Sequence, residues 1–223
     1  MPRRDSEDPA VTNNKKQWAA LFSMAGTTTF IAGWIILGFQ LHNYSPRTEP
    51  ISELARVGNG THIAMTLIFI FFSISSIVYS SVLREYTKKG AIAIFFHGIG
   101  GLGAAAFPLG KYSSDVTHEF FAAMVYISIA IFPLFTTFPD GIFNDRRKRR
   151  LSIGVYIVIS VALIISTFGP PATFGLLQRV GLTLGDLWLL WSARHVLQII
   201  SRDRIASAEI ENHRLRELVK DEI

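Results

Sequence analysis

Three ionisable residues whose side chains could do chemistry fall within long apolar segments: His97, Arg179 and Asp186. A charge near the centre of a bilayer costs about 2.5–3.5 kcal/mol on insertion scales, so such groups normally face the interior of a helix bundle and have partners. Arg179 and Asp186 are seven residues apart, which places them on one helix face about two turns apart. We therefore expect them to have different partners rather than each other.

Each of these three residues has both a structural and a functional interpretation, and the sequence leaves both open. Arg179 could fasten an outer loop to the bundle, or bind an anionic group such as a lipid phosphate or carboxylate. Asp186 could be a hydrogen-bonded or protonated core acid, or could take part in ion movement. His97 could be a hydrogen-bonded core residue, a proton carrier or a metal ligand.

The polar segment Asn43–Arg56 separates two strongly apolar runs and is the longest connection between predicted spans. Pro50 suits the start of a helix, and the apolar residues after it recur at helical spacing: Ile51, Leu54 and Ala55. This pattern predicts a short helix lying apolar side down over the mouth of the bundle. The alternative is a solvated loop without a tertiary role.

We predict that five polar residues converge on an outer-facing vestibule beneath this segment and form a candidate ligand-binding site: Ser52, Glu53, Arg56, His118 and Arg179. His97 and Asp186 are expected deeper, as candidate intramembrane polar residues.

A metal-dependent hydrolase is an alternative, because four residues with suitable chemistry are predicted on the outer face: Ser52, His62, Asp115 and His118. Their spacing matches no metal motif, however, and the chain has no cysteine to serve as a thiolate ligand. The fifth predicted span has no histidine, which argues against a haem between facing helices. We predict no metal and no cofactor.

The elements that must position these residues are transmembrane helices, because 49% of the chain is hydrophobic and only 17% is charged. The sequence predicts an all-α, polytopic bundle with short loops and six spans: Gln17–Leu41, Thr61–Leu83, Ala91–Gly110, His118–Phe138, Leu151–Phe168 and Ala172–Ile200. Six spans place both termini on one side. All but four of the 22 lysines and arginines fall on that side, the exceptions being Arg47, Arg56, Lys111 and Arg179.

This asymmetry predicts a multi-pass protein of the cell membrane with both termini in the cytoplasm. It also explains the net charge of +5 without nucleic acid as a partner. We expect a disordered arm at 1–16, the transmembrane domain at 17–200 and a charged helix or tail at 201–223. The tail carries a stripe that could support homo-oligomers through the C-terminal helix: Ile205, Ala208, Asn212, Leu215 and Val219.

Three short motifs resemble those of the domain-of-unknown-function 998 family of six-helix membrane proteins: NYSPRTEPISELA, FPLG followed by SDVTHEFFA, and LLQRVGL. The resemblance spans approximately residues 17–200, and the family is more distantly similar to eukaryotic DRAM-like membrane proteins. The matching positions are Tyr44, Pro46, Ile51, Ser52, Leu54, Phe107, Pro108, His118 and Arg179. The resemblance implies the six-helix fold, and the distant relatives imply a link to membrane lipid organisation.

From residues and resemblance together, we favour a non-enzymatic membrane protein that binds or moves a membrane lipid or small amphiphile at the outer vestibule. The alternatives are an intramembrane or interfacial hydrolase, with or without a metal, and an ion- or proton-coupled transporter that uses His97 and Asp186.

Overall fold

The computed structural model describes residues 9–110, 114–137, 141–143 and 145–221. Within these ranges the chain is helical and forms no strand. The six α-helices are α1 (Pro9–Gln40), α2 (His62–Leu83), α3 (Lys88–Ala106), α4 (Ser114–Phe135), α5 (Arg146–Phe168) and α6 (Phe174–Asp221). Two short 3-10 helices, Ile51–Ala55 and Pro171–Thr173, lie in the connections. The predicted all-α, six-helix membrane bundle is confirmed.

Helices α1 to α5 each contain a segment long and apolar enough to cross a membrane. Helix α6 is more polar, since it carries Arg179, Asp186 and Arg194, yet it packs against α1, α4 and α5. The bundle is therefore closed by α6, which buries Arg179 and Asp186 against the other helices and leaves Arg194 exposed.

Helix α3 packs closely between α2 and α4 because glycines replace side chains on both of its faces. A Cβ at Gly98 would lie 2.7 Å from the Ser73 carbonyl oxygen of α2, and one at Gly100 would lie 2.9 Å from the Phe121 carbonyl oxygen of α4. The glycines of α3 thus permit close contact with both neighbouring helices.

Several helix boundaries differ from the predicted spans for local reasons. Helix α1 begins at Pro9, inside the predicted arm, of which residues 1–8 lie outside the described residues. Helix α5 begins before the predicted span and includes the basic residues 146–150, because Asp145 caps the helix, accepting a hydrogen bond from the Lys148 backbone N–H at 2.8 Å. That bond lowers the pKa of Asp145. Helix α3 ends at Ala106, so Pro108 follows the helix instead of bending it.

Contacts between distant parts of the chain place the N-terminal end of α1 and the C-terminal part of α6 on the same side of the bundle. Lys16 of α1 pairs with Glu85, after α2, at 2.5 Å, and Arg204 of α6 donates a hydrogen bond to Asn14. Helix α6 continues through the predicted tail to Asp221 as one helix. In the predicted oligomer stripe, Ile205 and Ala208 are exposed, whereas the side chains of Asn212, Leu215 and Val219 lie outside those described.

Candidate functional site

The segment between α1 and α2 is folded onto the bundle rather than solvated. Its 3-10 helix, Ile51–Ala55, which we call the loop helix, buries the three apolar residues of the predicted pattern: Ile51, Leu54 and Ala55. The Ile51 backbone N–H donates a hydrogen bond to Gln178 Oε1 at 2.8 Å, and the Leu176 N–H donates one to the Arg47 carbonyl at 3.0 Å. The loop helix is therefore fixed to the first turns of α6.

Arg179 supplies the strongest link between this loop and α6. Its Nη1 donates hydrogen bonds to the carbonyls of Pro46 at 2.7 Å and Glu49 at 2.8 Å, as well as to that of Gly175 at 2.9 Å. Its Nη2 donates to the Tyr44 hydroxyl. These contacts fit the loop-fastening interpretation. Binding of an anion by Arg179 stays a prediction, for which the buried and unpartnered Nε is the donor left over.

The loop can approach α6 this closely because residue 175 is glycine. A Cβ at that position would collide with the carbonyl oxygens of both Glu49 and Pro46, the same two that accept from Arg179. Backbone atoms cannot yield as a flexible side chain would. Gly175 and Arg179, one helical turn apart, thus form one contact surface for the loop.

Glu53 and Arg56 pair with each other at the rim of the loop. Arg56 Nε lies 2.5 Å from Glu53 Oε1, and this hydrogen bond raises the pKa of Arg56. The Glu53 carbonyl accepts a further hydrogen bond from Asn59 Nδ2 at 2.8 Å. Neither Glu53 nor Arg56 lines the cavity beneath the loop helix.

That cavity has a volume of about 60 Å³ and lies among the helices directly below Ile51 and Ser52. Its wall is largely aromatic and aliphatic, with Phe30, Phe72 and Leu182 among its residues. The polar side chains that line it come from the loop helix and four α-helices: Ser52, Ser73, His97, His118, Tyr126, Gln178 and Asp186. The structure therefore joins Ser52 and His118 to His97 and Asp186 in one site, and leaves Glu53, Arg56 and Arg179 outside it.

Asp186 and His97 are the least satisfied polar groups of this cavity. Both are almost fully buried, with exposures of 1% and 2%. Neither carboxylate oxygen of Asp186 has a hydrogen-bond partner, and neither has His97 Nδ1. Buried polar atoms in proteins are nearly always paired, so an unpaired acid facing a cavity indicates a place for a ligand, an ion or water.

His118 is held by the backbone of α3. Its Nδ1 lies 2.9 Å from the Phe107 carbonyl and 3.2 Å from the Ala104 carbonyl. Because carbonyl oxygens only accept, Nδ1 carries a proton and donates. Among the described residues no hydrogen bond joins the Ser52 hydroxyl to His118, so the serine–histidine contact of a nucleophilic hydrolase is not assembled in this conformation.

The histidines and the aspartate of the predicted metal-dependent hydrolase each have their own backbone partner. His62 Nδ1 contacts the Ala55 carbonyl at 2.6 Å, and Asp115 accepts from the Gly110 N–H at 3.0 Å. Within the described part of the chain, no group of three or more histidines and carboxylates is arranged to hold a metal ion.

Sequence reasoning missed Gln178 and Tyr126, which connect the loop helix to the cavity wall. Gln178 accepts from the Ile51 N–H with its oxygen and donates to the Tyr126 hydroxyl with its nitrogen. Both residues could have been found by the signal that identified Arg179, which is a polar side chain inside a predicted membrane span.

The closed bundle with polar groups enclosed at its centre defines a multi-pass helical membrane protein. Residues 24–195 match the family described as protein of unknown function (DUF998), so this chain belongs to that family. The resemblance noted from the sequence motifs is thereby confirmed. No curated protein and no solved structure matches the chain.

Proposed function

We propose that the protein binds or moves a small amphiphile or lipid of the cell membrane, whose polar group enters the cavity below the loop helix. The single observation that carries this proposal is the cavity itself, an apolar space inside a membrane bundle towards which a few polar groups converge. Ligand sites in proteins commonly have this composition. A ligand arriving from the membrane could keep its tail among the helices.

In this proposal the ligand-binding site is centred on the cavity, and not on Arg179 as in the site predicted from the sequence. Four donor contacts of Arg179 already go to protein oxygens, and they hold the loop in place. The unpartnered atoms of Asp186 and His97, by contrast, have their hydrogen-bonding capacity free. The cavity holds on the order of four water molecules, which suits a headgroup rather than a whole lipid.

Two neighbouring alanines of α4 allow a matched test. Ala122 lines the cavity, whereas Ala123 is exposed on the surface of the bundle. We expect Ala122→Leu to fill the cavity and to remove a bound amphiphile that co-purifies with the wild type, as measured by mass spectrometry of the extracted protein. Ala123→Leu should retain it. Equal retention in both variants, with both folded, would contradict the proposal.

Ion- or proton-coupled transport is a second candidate, favoured by the unpartnered carboxylate of Asp186. Intramembrane acids of this kind often belong to ion pathways. In proteoliposomes, this candidate requires a proton or ion flux that disappears in Asp186→Asn. Flux that persists in the variant would exclude Asp186 as the coupling group.

A further inference from the structure

Charge chemistry in the cavity points to one class of headgroup. Asp186 contributes a carboxyl group with both oxygens unpartnered, and no lysine or arginine is among the described residues that line the cavity. A carboxylate buried without a partner is costly, and a cation that enters the cavity would offset that cost. An anionic headgroup would meet no cationic side chain there, and would meet like charge whenever Asp186 is ionised.

Arg179 is not the counter-ion of Asp186. It lies about two turns away from Asp186 along α6, and its guanidinium contacts the loop carbonyls and the Tyr44 hydroxyl. Its charge also lies over the Trp34 and Tyr44 rings, with its Cζ 5.3 Å and 5.4 Å from their centroids. The positive charge of Arg179 is therefore engaged at the loop, and the Asp186 carboxyl group deeper in α6 has no cationic partner among the described residues that line the cavity.

The remaining lining groups favour an organic ammonium over a bare inorganic cation. The rings of Phe30, Phe69, Phe72 and Tyr126 line the cavity, and aromatic faces attract ammonium groups. His97 Nδ1 has no partner and can accept an N–H when the ring carries its proton on Nε2. Asp186 and His97 thus offer at least two acceptors, and a primary ammonium has three N–H groups to donate.

We propose that the cavity binds the primary ammonium headgroup of a single-chain amphiphile, with the Asp186 carboxylate as its counter-ion and His97 Nδ1 as a second acceptor. This inference rests on the proposed function and names the substrate class of the same site. It predicts that the contribution of Asp186 to binding depends on the charge of the ligand. An acid with a purely structural role would not show this dependence.

The test uses three amphiphiles with the same tail and different headgroups: dodecylammonium, dodecanol and dodecanoate. Each is offered in radiolabelled form to the full chain in lipid nanodiscs, and saturable binding is measured above the level of the cavity-filled Ala122→Leu variant. We expect the ammonium to bind most tightly and the carboxylate least. Asp186→Asn should weaken ammonium binding at least tenfold, leave dodecanol binding unchanged and unfold no more readily than the wild type.

Other outcomes overturn the inference and separate it from the proposed function. Equal binding of all three probes, lost in Ala122→Leu but insensitive to Asp186→Asn, would keep the amphiphile site and remove the ammonium assignment. Competition of Na⁺ with dodecylammonium at equal concentration would assign the carboxylate to an inorganic cation instead. Binding of no probe above the Ala122→Leu level would overturn both the inference and the proposed function.

Discussion

Arg179 illustrates how a charge can be kept inside a membrane bundle without an acidic partner. Its positive charge is met by carbonyl oxygens of the loop and of its own helix, and by the Tyr44 hydroxyl. None of the described salt bridges includes it. Arg179 and both of its interpretations were predictable from the sequence, but its carbonyl partners were not, because every residue has a backbone carbonyl.

Replacing Arg179 with Gln should release the loop. A hydrogen bond to a charged group contributes about 1.5–3 kcal/mol, so we expect the free energy of loop opening to fall by about 3 kcal/mol. Exchange of the Ile51 and Leu176 amide hydrogens should then become faster by on the order of a hundredfold, as measured by hydrogen–deuterium exchange. Arg47→Gln is the control, because that side chain is exposed. Unchanged exchange in Arg179→Gln would show that the loop is held by other contacts.

Burial of the Tyr44 hydroxyl, which contacts Arg179, predicts that the free energy of unfolding depends on pH. Burial raises its pKa to about 12, above the value of ~10 for an unfolded chain. Between these values the unfolded state has lost the proton and the folded state has kept it, so the free energy of unfolding should fall as pH rises from 10 to 12. In Tyr44→Phe this decline should be shallower, as measured by thermal unfolding across that pH range. A Tyr44→Phe variant that keeps the wild-type slope would contradict this prediction.

At the scale of elements, the fit between the loop and α6 depends on a missing side chain. Gly175→Ala would drive a methyl group into the carbonyls of Glu49 and Pro46, so we expect a lower Tm and faster exchange in the loop. Gly154→Ala on α5 is the matched control, since a Cβ there has no neighbour within 4 Å. The control should be neutral or stabilised by roughly 0.5–1 kcal/mol. A Gly175 variant that behaves like Gly154→Ala would mean that the loop can shift without loss.

The number and class of the elements were predictable because apolar runs of membrane length are read directly from composition. The loop helix was predictable as well, from the spacing of Ile51, Leu54 and Ala55. The site was only partly predictable. Sequence spacing gives the depth of His97 and Asp186 within their helices, but not which helix faces meet, so their shared cavity with Ser52 and His118 emerged only from the packing.

At the scale of the whole molecule, the proposed orientation with both termini in the cytoplasm has a direct test, because the chain has no native cysteine to interfere with labelling. Thr48 on the loop and Arg149 at the start of α5 are both exposed. In intact cells, a membrane-impermeant maleimide should label Thr48→Cys and should label Arg149→Cys only after permeabilisation. The reverse pattern would invert the assignment and turn the loop towards the cytoplasm.

The uninterrupted α6 provides an attachment point for a fusion partner in electron microscopy. A 24.9 kDa protein presents few features outside a detergent belt for particle alignment in electron microscopy. Helix α6 has 48 residues, a length of about 72 Å, and residues 205–211, beyond the contact of Arg204 with Asn14, are exposed. A helical fusion partner continued in register from this segment would be held rigidly. Each residue added or removed at the junction would turn the partner by about 100°, so a few fusion lengths would sample every orientation.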